Sequence, residues 1–418
     1  DCYCERCLGL FHEYLKEKYG SLDRLNDAWG QHFWSFSFSD WSEVPRPSTN
    51  PQLTLEYRRF LSKLNIEFAA WRCDLIRRLD PKKWITTNFQ SLGAGHTDYV
   101  ELSRHLTING LNHYPLRSAE FVLDYYRGSR GTLLVLEQFT RLTKGDLGPK
   151  WMRLWAYRAI AHGAGGINFF RWRQARWGQE QFADGILPHS GRENWRYREL
   201  AQMGAEIARI GPTIDTTRPS AETAILQSYE TRWALNAAPM PNEFQGIPEA
   251  VCFHNALIRK NIGIDGLDPR EDLSPYRLVI APRLFCVDER IAANLKRYVE
   301  RGGTLCLTAA SGVMDEFGKS FDDPRPGPLR EMAGIEVTEL LPVHQPLAFL
   351  SASIPGLESA SASVMADEIQ AGSARVLATI KNGWRAGQPA VTVHPFGPGT
   401  VYYVGGLFAE GGMDALTD

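Results

Sequence analysis

The first half of the chain alternates short apolar runs with longer segments that could each hold a helix. The apolar runs lie at residues 84–88, 107–114, 132–138 and 166–173. This alternation is typical of βα units whose strands are parallel. Before the first strand the pattern predicts two helices, at residues 8–19 and 53–79, and Gly20 follows the first of them where a helix-ending glycine is common.

Each predicted strand ends in polar or aromatic side chains. These are Thr87 and Asn88, then Asn112, His113 and Tyr114, then Glu137 and Gln138, then Arg171, Trp172 and Arg173. In a (β/α)8 barrel the functional groups gather at the C-terminal ends of the strands, so the pattern predicts an active-site rim. A closed barrel needs eight strands and only four are predicted. We therefore expect residues 1–212 to form the C-terminal half of a TIM barrel.

After residue 212 the pattern changes to a second α/β arrangement. Short apolar strands are predicted at residues 224–227, 278–281, 304–307 and 401–404. A helix is predicted at residues 288–300, before two glycines. Since 418 residues with 44% apolar content exceed one ordinary core, we expect two domains, residues 1–212 and 213–418.

The charge balance limits the classes of partner. The chain has 46 basic and 48 acidic side chains, which gives a formal net charge of −2. Such a chain has no strong field to attract nucleic acid or an anionic membrane. No apolar run reaches the roughly 18 to 20 residues that span a bilayer. We expect a neutral ligand and neither a nucleic-acid nor a membrane partner.

Glu137 is the first candidate catalytic residue. It follows the apolar run Leu133–Leu136, and a carboxylate at the end of a buried strand must be either paired or used. Retaining hydrolysis of a glycoside needs two carboxyl groups about 5 to 5.5 Å apart, one of them a nucleophile. Glu137 is the candidate nucleophile, and the alternative is a structural ion-pair partner.

Residues 169–180 provide a second group of candidates. On one continuous strand, Arg171 and Arg173 would point to the same side and could orient a carboxylate. The alternative for both is a structural arginine–glutamate network. Glu180, in the glycine-containing loop that follows, is placed to bond sugar hydroxyls.

The seven cysteines fall into two groups. Four are predicted to be reduced core residues, namely Cys73, Cys252, Cys286 and Cys306. Cys2, Cys4 and Cys7 form a C-x-C-x-x-C hook, whose spacing suits thiolates converging on one structural zinc ion better than disulfides. The fourth ligand is either His12 or a residue upstream. Reduced thiols and a zinc hook favour the cytoplasm.

Over nearly its whole length the chain resembles the family 42 glycoside hydrolases, which are β-galactosidases. The motifs that carry the resemblance are the cysteine hook, Lys18–Gly20, Leu25–Gly30, Phe33–Trp34, Thr87–Asn88, Tyr114–Pro115, Glu137–Gln138, Ala161–Ala164 and Phe170–Gln174. The second half resembles the family's flavodoxin- or amidotransferase-like trimerisation domain at residues 272–276, 302–304 and 326–330. The resemblance implies a homotrimer, a galactoside substrate and a retaining mechanism.

The resemblance also implies roles for single residues. Glu137 falls on the nucleophile, and Tyr114 and Glu180 fall on positions that line the galactose pocket. Asn88 and Arg171, at the ends of their predicted strands, are the other candidate substrate-binding residues. The hook corresponds to a zinc site of part of the family, completed by an upstream cysteine. The family's acid/base glutamate would precede Asp1, so we expect the 418-residue chain alone to be inactive.

Three features depart from the family pattern, and alternatives to a β-galactosidase stay open. Asn112 stands where an aspartate is common, and Ala183 stands where a histidine is common. The family often has a tryptophan soon after the nucleophile, and residues 139–150 contain none. The alternatives to a β-galactosidase are a related α-L-arabinopyranosidase, and a barrel that only binds sugar or acts as a trimeric scaffold.

Overall fold

The computed structural model describes residues 2–47, 50–90, 92, 96–114, 118–140, 148–238, 248–408 and 410–418. Among them, the first unit begins with three helices: α1 (Glu5–Tyr19), α2 (Leu22–Trp29) and α3 (Pro51–Leu79). Both predicted helices are therefore present. Gly20 has a φ of 73° and ends α1, and Asn50 caps α3 by accepting a hydrogen bond from the Leu53 amide.

A four-stranded parallel sheet follows, in the order β1-β2-β3-β4. Its strands are β1 (Asn88–Phe89), β2 (Asn109–His113), β3 (Leu133–Phe139) and β4 (Ala164–Phe170). The helices that alternate with them are α4 (Tyr99–Ser103), α5 (Ala119–Arg130) and α6 (Trp151–Ala161). Parallel strands with crossover helices are the architecture of half of a (β/α)8 barrel, as predicted.

Two strand predictions were wrong in extent. Only Asn88 of the predicted strand 84–88 lies in β1, although the carbonyl of Ile85 accepts a hydrogen bond from the Thr107 amide. The predicted strand 166–173 ends at Phe170, so Arg171 and Arg173 lie in the loop beyond β4. The period-two argument for these two arginines therefore does not hold.

The helix α7 (Trp195–Ile214) leads from the first unit to the second and contains the predicted boundary residue Pro212. The division of the chain at residue 212 stays a prediction. The remaining helices are α8 (Tyr229–Ala237), α9 (Pro248–Arg259), α10 (Glu289–Glu300), α11 (Arg330–Ala333) and α12 (Glu410–Leu416). No described helix is both long and apolar enough to cross a bilayer.

The second unit is built on one ten-stranded mixed sheet, in the order β14-β10-β9-β11-β12-β13-β8-β7-β5-β6. Its strands are β5 (Thr223–Leu226), β6 (Ile264–Leu267), β7 (Leu278–Ala281), β8 (Thr304–Thr308), β9 (Glu336–Leu350), β10 (Ser361–Gln370), β11 (Arg375–Ile380), β12 (Pro389–Phe396), β13 (Gly399–Val404) and β14 (Gly406–Phe408). The five strands from β13 to β6 are parallel, and the others pair antiparallel.

The two units meet where α5 lies along β6. A Cβ atom on Gly128 would lie 2.3 Å from the Gly266 carbonyl oxygen, so the helix and strand touch through backbone. Arg127 donates from Nη2 to the Ile264 carbonyl at 2.6 Å and to Asp265 Oδ1 at 2.7 Å. The helix that follows β2 is thus held against the second sheet.

Candidate active site

Glu137 lies near the C-terminal end of β3 and accepts three side-chain hydrogen bonds. Asn88 Nδ2 donates to Oε1 at 3.0 Å, Asn112 Nδ2 donates to Oε2 at 3.0 Å, and the Tyr114 hydroxyl donates to Oε2 at 2.5 Å. The parallel register places Asn112 directly opposite Glu137. The predicted candidates Glu137, Asn88 and Tyr114 are therefore in contact.

Pro115, which follows Tyr114 in its motif, lies outside the described residues, as do residues 141–147 of the tryptophan-free segment.

Tyr114 is a neutral hydrogen-bond donor. Burial and the hydrogen bond to the Glu137 carboxylate, together with the charge of that carboxylate, raise the pKa of Tyr114 above its ordinary value. Its ring is stacked on Phe139, with centroids 5.6 Å apart and an interplanar angle of 24°. The phenol is thus held in one position and keeps its proton.

The neighbouring residues of the same strands point away from this group. His113 is buried, and its ring packs edge-on against Trp155 with the centroids 4.8 Å apart. Burial lowers the pKa of His113 to about 4, so this histidine is neutral near pH 7. Gln138 is also buried. The period-two alternation of the strands therefore presents Asn112 and Glu137 and hides His113 and Gln138.

The loop after β4 brings Arg171 and Glu180 together. Arg171 Nη1 lies 3.4 Å from Glu180 Oε2, and both side chains are more than a third exposed. Arg173 turns elsewhere and donates to the His189 carbonyl, at 2.6 Å from Nη2. The two arginines thus serve different partners, which corrects the prediction that they act on the same side.

Asn112 was noted at a strand end but was not among the predicted site residues. Its amide is the central member of the group, because its Oδ1 accepts from Asn88 Nδ2 at 2.7 Å while its Nδ2 donates to Glu137. The signal that could have identified it is its place at the end of β2, the neighbour of β3.

Exposed aromatic rings lie in the loop after β4, namely those of Trp172, Trp177 and Phe182.

An acceptor-only carboxylate that receives three hydrogen bonds can act as an oriented nucleophile. Both oxygens of Glu137 are fixed, and Asn88 and Tyr114, which hold them, are themselves exposed to solvent. Arg171 and Glu180 offer donors and acceptors of the kind that sugar hydroxyls bind.

The cysteine hook places three thiols together in front of α1. Cys2 Sγ lies 3.4 Å from Cys4 Sγ, and the Sγ atoms of Cys2, Cys4 and Cys7 all lie within 4.8 Å of one another. A disulfide would be about 2.05 Å long. Sulfur atoms around a tetrahedral zinc, with bonds of about 2.3 Å, lie roughly 3.8 Å apart. The spacing therefore fits a zinc site.

The three thiols of the hook act on one another's ionisation. Hydrogen bonds from the Cys7 backbone amide and then from the Cys2 thiol lower the pKa of Cys4 to about 7, whereas the hydrogen bond with Cys2, followed by burial, raises the pKa of Cys7 to about 11. The hook is attached to α3, since the Tyr57 hydroxyl donates to the Cys2 carbonyl at 2.5 Å. His12, one of the two candidates for the fourth ligand, is not part of this group of described ligand atoms, and its Nε2 bonds the Val44 carbonyl at 2.9 Å.

A second cluster of possible ligands lies between the units and is better explained by hydrogen bonds. Asp124 bonds His162 Nδ1 at 2.8 Å and His254 Nε2 at 2.7 Å. The Arg127 guanidinium contacts the same Asp124 oxygen as His162. Because that guanidinium already supplies a positive charge, a cation is disfavoured there.

Comparisons with known proteins identify the family of the chain. The family profile described as β-galactosidase matches residues 1–210, and that of the β-galactosidase trimerisation domain matches residues 221–418. The β-galactosidase BgaB of Geobacillus kaustophilus is 34% identical over 97% of this chain and 62% of its own length. LacZ of Heyndrickxia coagulans is 32% identical over 97% of this chain and 63% of its own length.

Solved structures give the same result. The β-galactosidase from Bacillus circulans sp. alkalophilus matches with a TM-score of 0.95 at 30% identity, over 100% of this chain and 66% of that one. The enzyme from Rahnella sp. R3 matches with a TM-score of 0.94 at 28% identity, over 100% and 66%. The predicted fold is confirmed, and the arabinopyranosidase and scaffold alternatives are not favoured. The chain spans about 62% of the length of the curated relatives named above, and it belongs to the family 42 β-galactosidases.

Proposed function

We propose that this chain carries the nucleophile side of the active site of a retaining glycosidase that cleaves terminal β-D-galactosides. The observation that carries the proposal is the Glu137 carboxylate, held through both oxygens by Asn88, Asn112 and Tyr114 at the C-terminal end of β3. The substrate class is supported by the names of the relatives, which are β-galactosidases.

In the proposed mechanism, Glu137 attacks the anomeric carbon and forms a covalent glycosyl ester as the leaving oxygen departs. The ester is then hydrolysed by water. The three donors hold the carboxylate in its attacking orientation, which lowers the entropic cost of reaching the transition state. Arg171 and Glu180 bind hydroxyl groups of the sugar. The proton for the leaving oxygen comes from a second carboxyl group, which the family resemblance places upstream of Asp1.

The experiment is hydrolysis of an aryl β-D-galactoside by the 418-residue chain and by a fusion that adds the upstream part of the Geobacillus kaustophilus relative. We expect activity in the fusion alone. Glu137→Gln in the fusion should lower kcat by at least about a thousandfold, because a nucleophile is lost. Glu199→Gln is the matched control, since Glu199 bonds the backbone amides of Lys150 and Arg153 instead.

Azide gives a second readout of the same assignment. With Glu137→Gly and an activated galactoside, azide should occupy the space of the carboxylate and yield the α-galactosyl azide. Formation of the β-azide, or full hydrolytic activity in Glu137→Gln, would show that Glu137 is not the nucleophile.

We further propose that Cys2, Cys4 and Cys7 hold a structural zinc ion. The ion would attach the start of α1 to α3, beside the Tyr57–Cys2 hydrogen bond. Free thiols of this kind also support a reducing compartment, such as the cytoplasm. Metal analysis of the purified protein should find about one zinc per chain, lost in Cys4→Ser and retained in Cys73→Ala, which removes a buried thiol elsewhere.

We also propose a homotrimer. The support is the match of residues 221–418 to the β-galactosidase trimerisation domain. Sedimentation equilibrium should give three times the chain mass of 47.1 kDa. A monomer at micromolar concentration would contradict this.

A further inference from the structure

Asn112, on β2, links the side chains of the two neighbouring strands, Asn88 on β1 and Glu137 on β3. Its Oδ1 accepts from Asn88 Nδ2, and its Nδ2 donates to Glu137 Oε2. Asn88 Nδ2 in turn donates to Glu137 Oε1. The three side chains therefore form a closed ring across β1, β2 and β3, in which the amide of Asn112 has one orientation only.

The ring carries a single ionisable group. An aspartate at position 112 would have nearly the same shape, but it would present an acceptor where Asn112 presents an N–H. Two carboxylate oxygens would then lie about 3 Å apart, and such a pair strongly resists carrying two charges. The neutral asparagine leaves Glu137 as the only carboxylate of the ring.

The other titratable groups at this end of the sheet do not take the place of the neutral Asn112 amide beside Glu137. Tyr114 donates to the same oxygen of Glu137 and stays protonated. Glu180 and Asp184 add negative charge that acts on Tyr114, and Arg171 is paired with Glu180. His113 lies on the other face of β2, against Trp155.

We propose that Asn112 is a positioning residue: its neutral amide orients the Glu137 carboxylate for glycosyl transfer and keeps a second negative charge away from it. This inference rests on the proposed function of Glu137. The side chain that positions the nucleophile thus lies on β2, although the bond itself forms on β3.

The test measures only the formation of the glycosyl ester on Glu137. The probe is 2,4-dinitrophenyl 2-deoxy-2-fluoro-β-D-galactoside, applied to the 418-residue chain and to the fusion. The C1–O bond breaks as dinitrophenolate leaves without a proton, and an ester forms between C1 and a Glu137 oxygen. The fluorine slows hydrolysis of that ester, so mass spectrometry of peptides locates the label and gives its rate at each pH.

In Asn112→Asp the acid limb of the labelling rate should move to higher pH by at least about one unit. In Asn112→Ser the rate should fall at every pH with the limb unmoved, because a donor is lost and no charge is added. Asn382→Asp adds the same charge far from the site, in the connection between β11 and β12, and should change neither the labelling rate nor its acid limb.

The outcomes distinguish the role of Asn112 from the proposed function of Glu137. An unmoved limb in a folded Asn112→Asp variant overturns the role of Asn112. Absence of label on Glu137 in every protein overturns the proposed function instead. If Asn112→Asp does not fold, as judged by thermal melting, Asn88→Asp applies the same test, because Asn88 faces the other oxygen of Glu137.

Discussion

At the scale of single residues, the candidate site depends on groups that cannot change their protonation state near neutral pH. Tyr114 is one of them: its raised pKa means that the phenol keeps its proton beyond the pH at which an ordinary tyrosine loses it. The hydrogen bond to Glu137 is therefore present throughout the neutral and mildly alkaline range. Tyr114 sets no alkaline limit on activity in that range.

The hydrogen bond from the Tyr114 hydroxyl to Glu137 can be tested by removing the hydroxyl. Tyr114→Phe in the active fusion should lower kcat/KM by about 10- to 100-fold, because a hydrogen bond to a charged group contributes about 1.5–3 kcal/mol. Tyr157→Phe removes a hydroxyl that bonds Glu206 on an outer helix and should have no such effect. Steady-state kinetics compares the two variants, and equal losses would contradict the assignment.

The residue scale also shows what the sequence could predict of the site. Glu137, Asn88 and Tyr114 follow from one rule, that parallel strands bring their C-terminal ends together. The place of Arg173 could not be predicted by this rule, because the end of a strand cannot be located to within two or three residues from an apolar run such as Phe169–Phe170. The partners of a loop arginine depend on the path of the loop, which no local pattern records.

At the scale of elements, the contact between α5 and β6 is stabilised by a buried polar network. Burial alone would raise the pKa of Asp124, but hydrogen bonds from His162 and His254 and the charge of Arg127 outweigh it and lower the pKa to about 2. In the unfolded chain the value is about 3.9. The stabilisation from ionised Asp124 is therefore present above about pH 4 and lost as the pH falls through 2.

Asp124→Asn tests this network. It should lower the free energy of unfolding by about 3–5 kcal/mol at pH 7, because it leaves a buried arginine without its charge partner. The difference from the unmodified protein should narrow below about pH 4. Urea denaturation at several pH values measures both effects. Glu13→Gln, which breaks an exposed pair with Lys16, is the control and should cost less than about 1 kcal/mol.

The backbone contact beneath the network makes a separate prediction. Gly128→Ala should destabilise the protein although alanine favours helices, because its Cβ would lie 2.3 Å from the Gly266 carbonyl oxygen. Gly204→Ala, in α7, meets nothing within 4 Å and should stabilise by about 0.5–1 kcal/mol. Thermal melting should therefore shift in opposite directions for the two variants. A rise in both would show that α5 and β6 can move apart freely.

The elements themselves were predictable where the pattern was simple. The predicted strand 278–281 coincides with β7, and the predicted helix 288–300 differs from α10 only by its cap, Asp288. The long hairpin of β9 and β10 was missed, because Pro342 and Pro346 interrupt β9 and argue against a strand. Pairing with β10, a non-local interaction, overrides that local signal.

At the scale of the whole molecule, the two units form a continuous structure. The hydrophobic core extends from Phe89 and Leu111 in the first sheet to Ile225 and Phe349 in the second. The buried Glu56 bonds Lys18 of α1, contacts Arg59, and through Arg59 connects to Glu230 of α8. Contacts of this density make independent movement of the units costly, so we expect the cysteine hook, the candidate site and the second sheet to unfold together.

The position of β6 at the end of the ten-stranded sheet has a consequence for the solubility of any partial chain. Its outward carbonyls, those of Ile264 and Gly266, face Arg127 and Gly128 of α5. An uncovered strand edge is a template on which identical chains can polymerise. The first unit thus covers this edge of the second sheet, and we expect a fragment that lacks α5 to aggregate through β6.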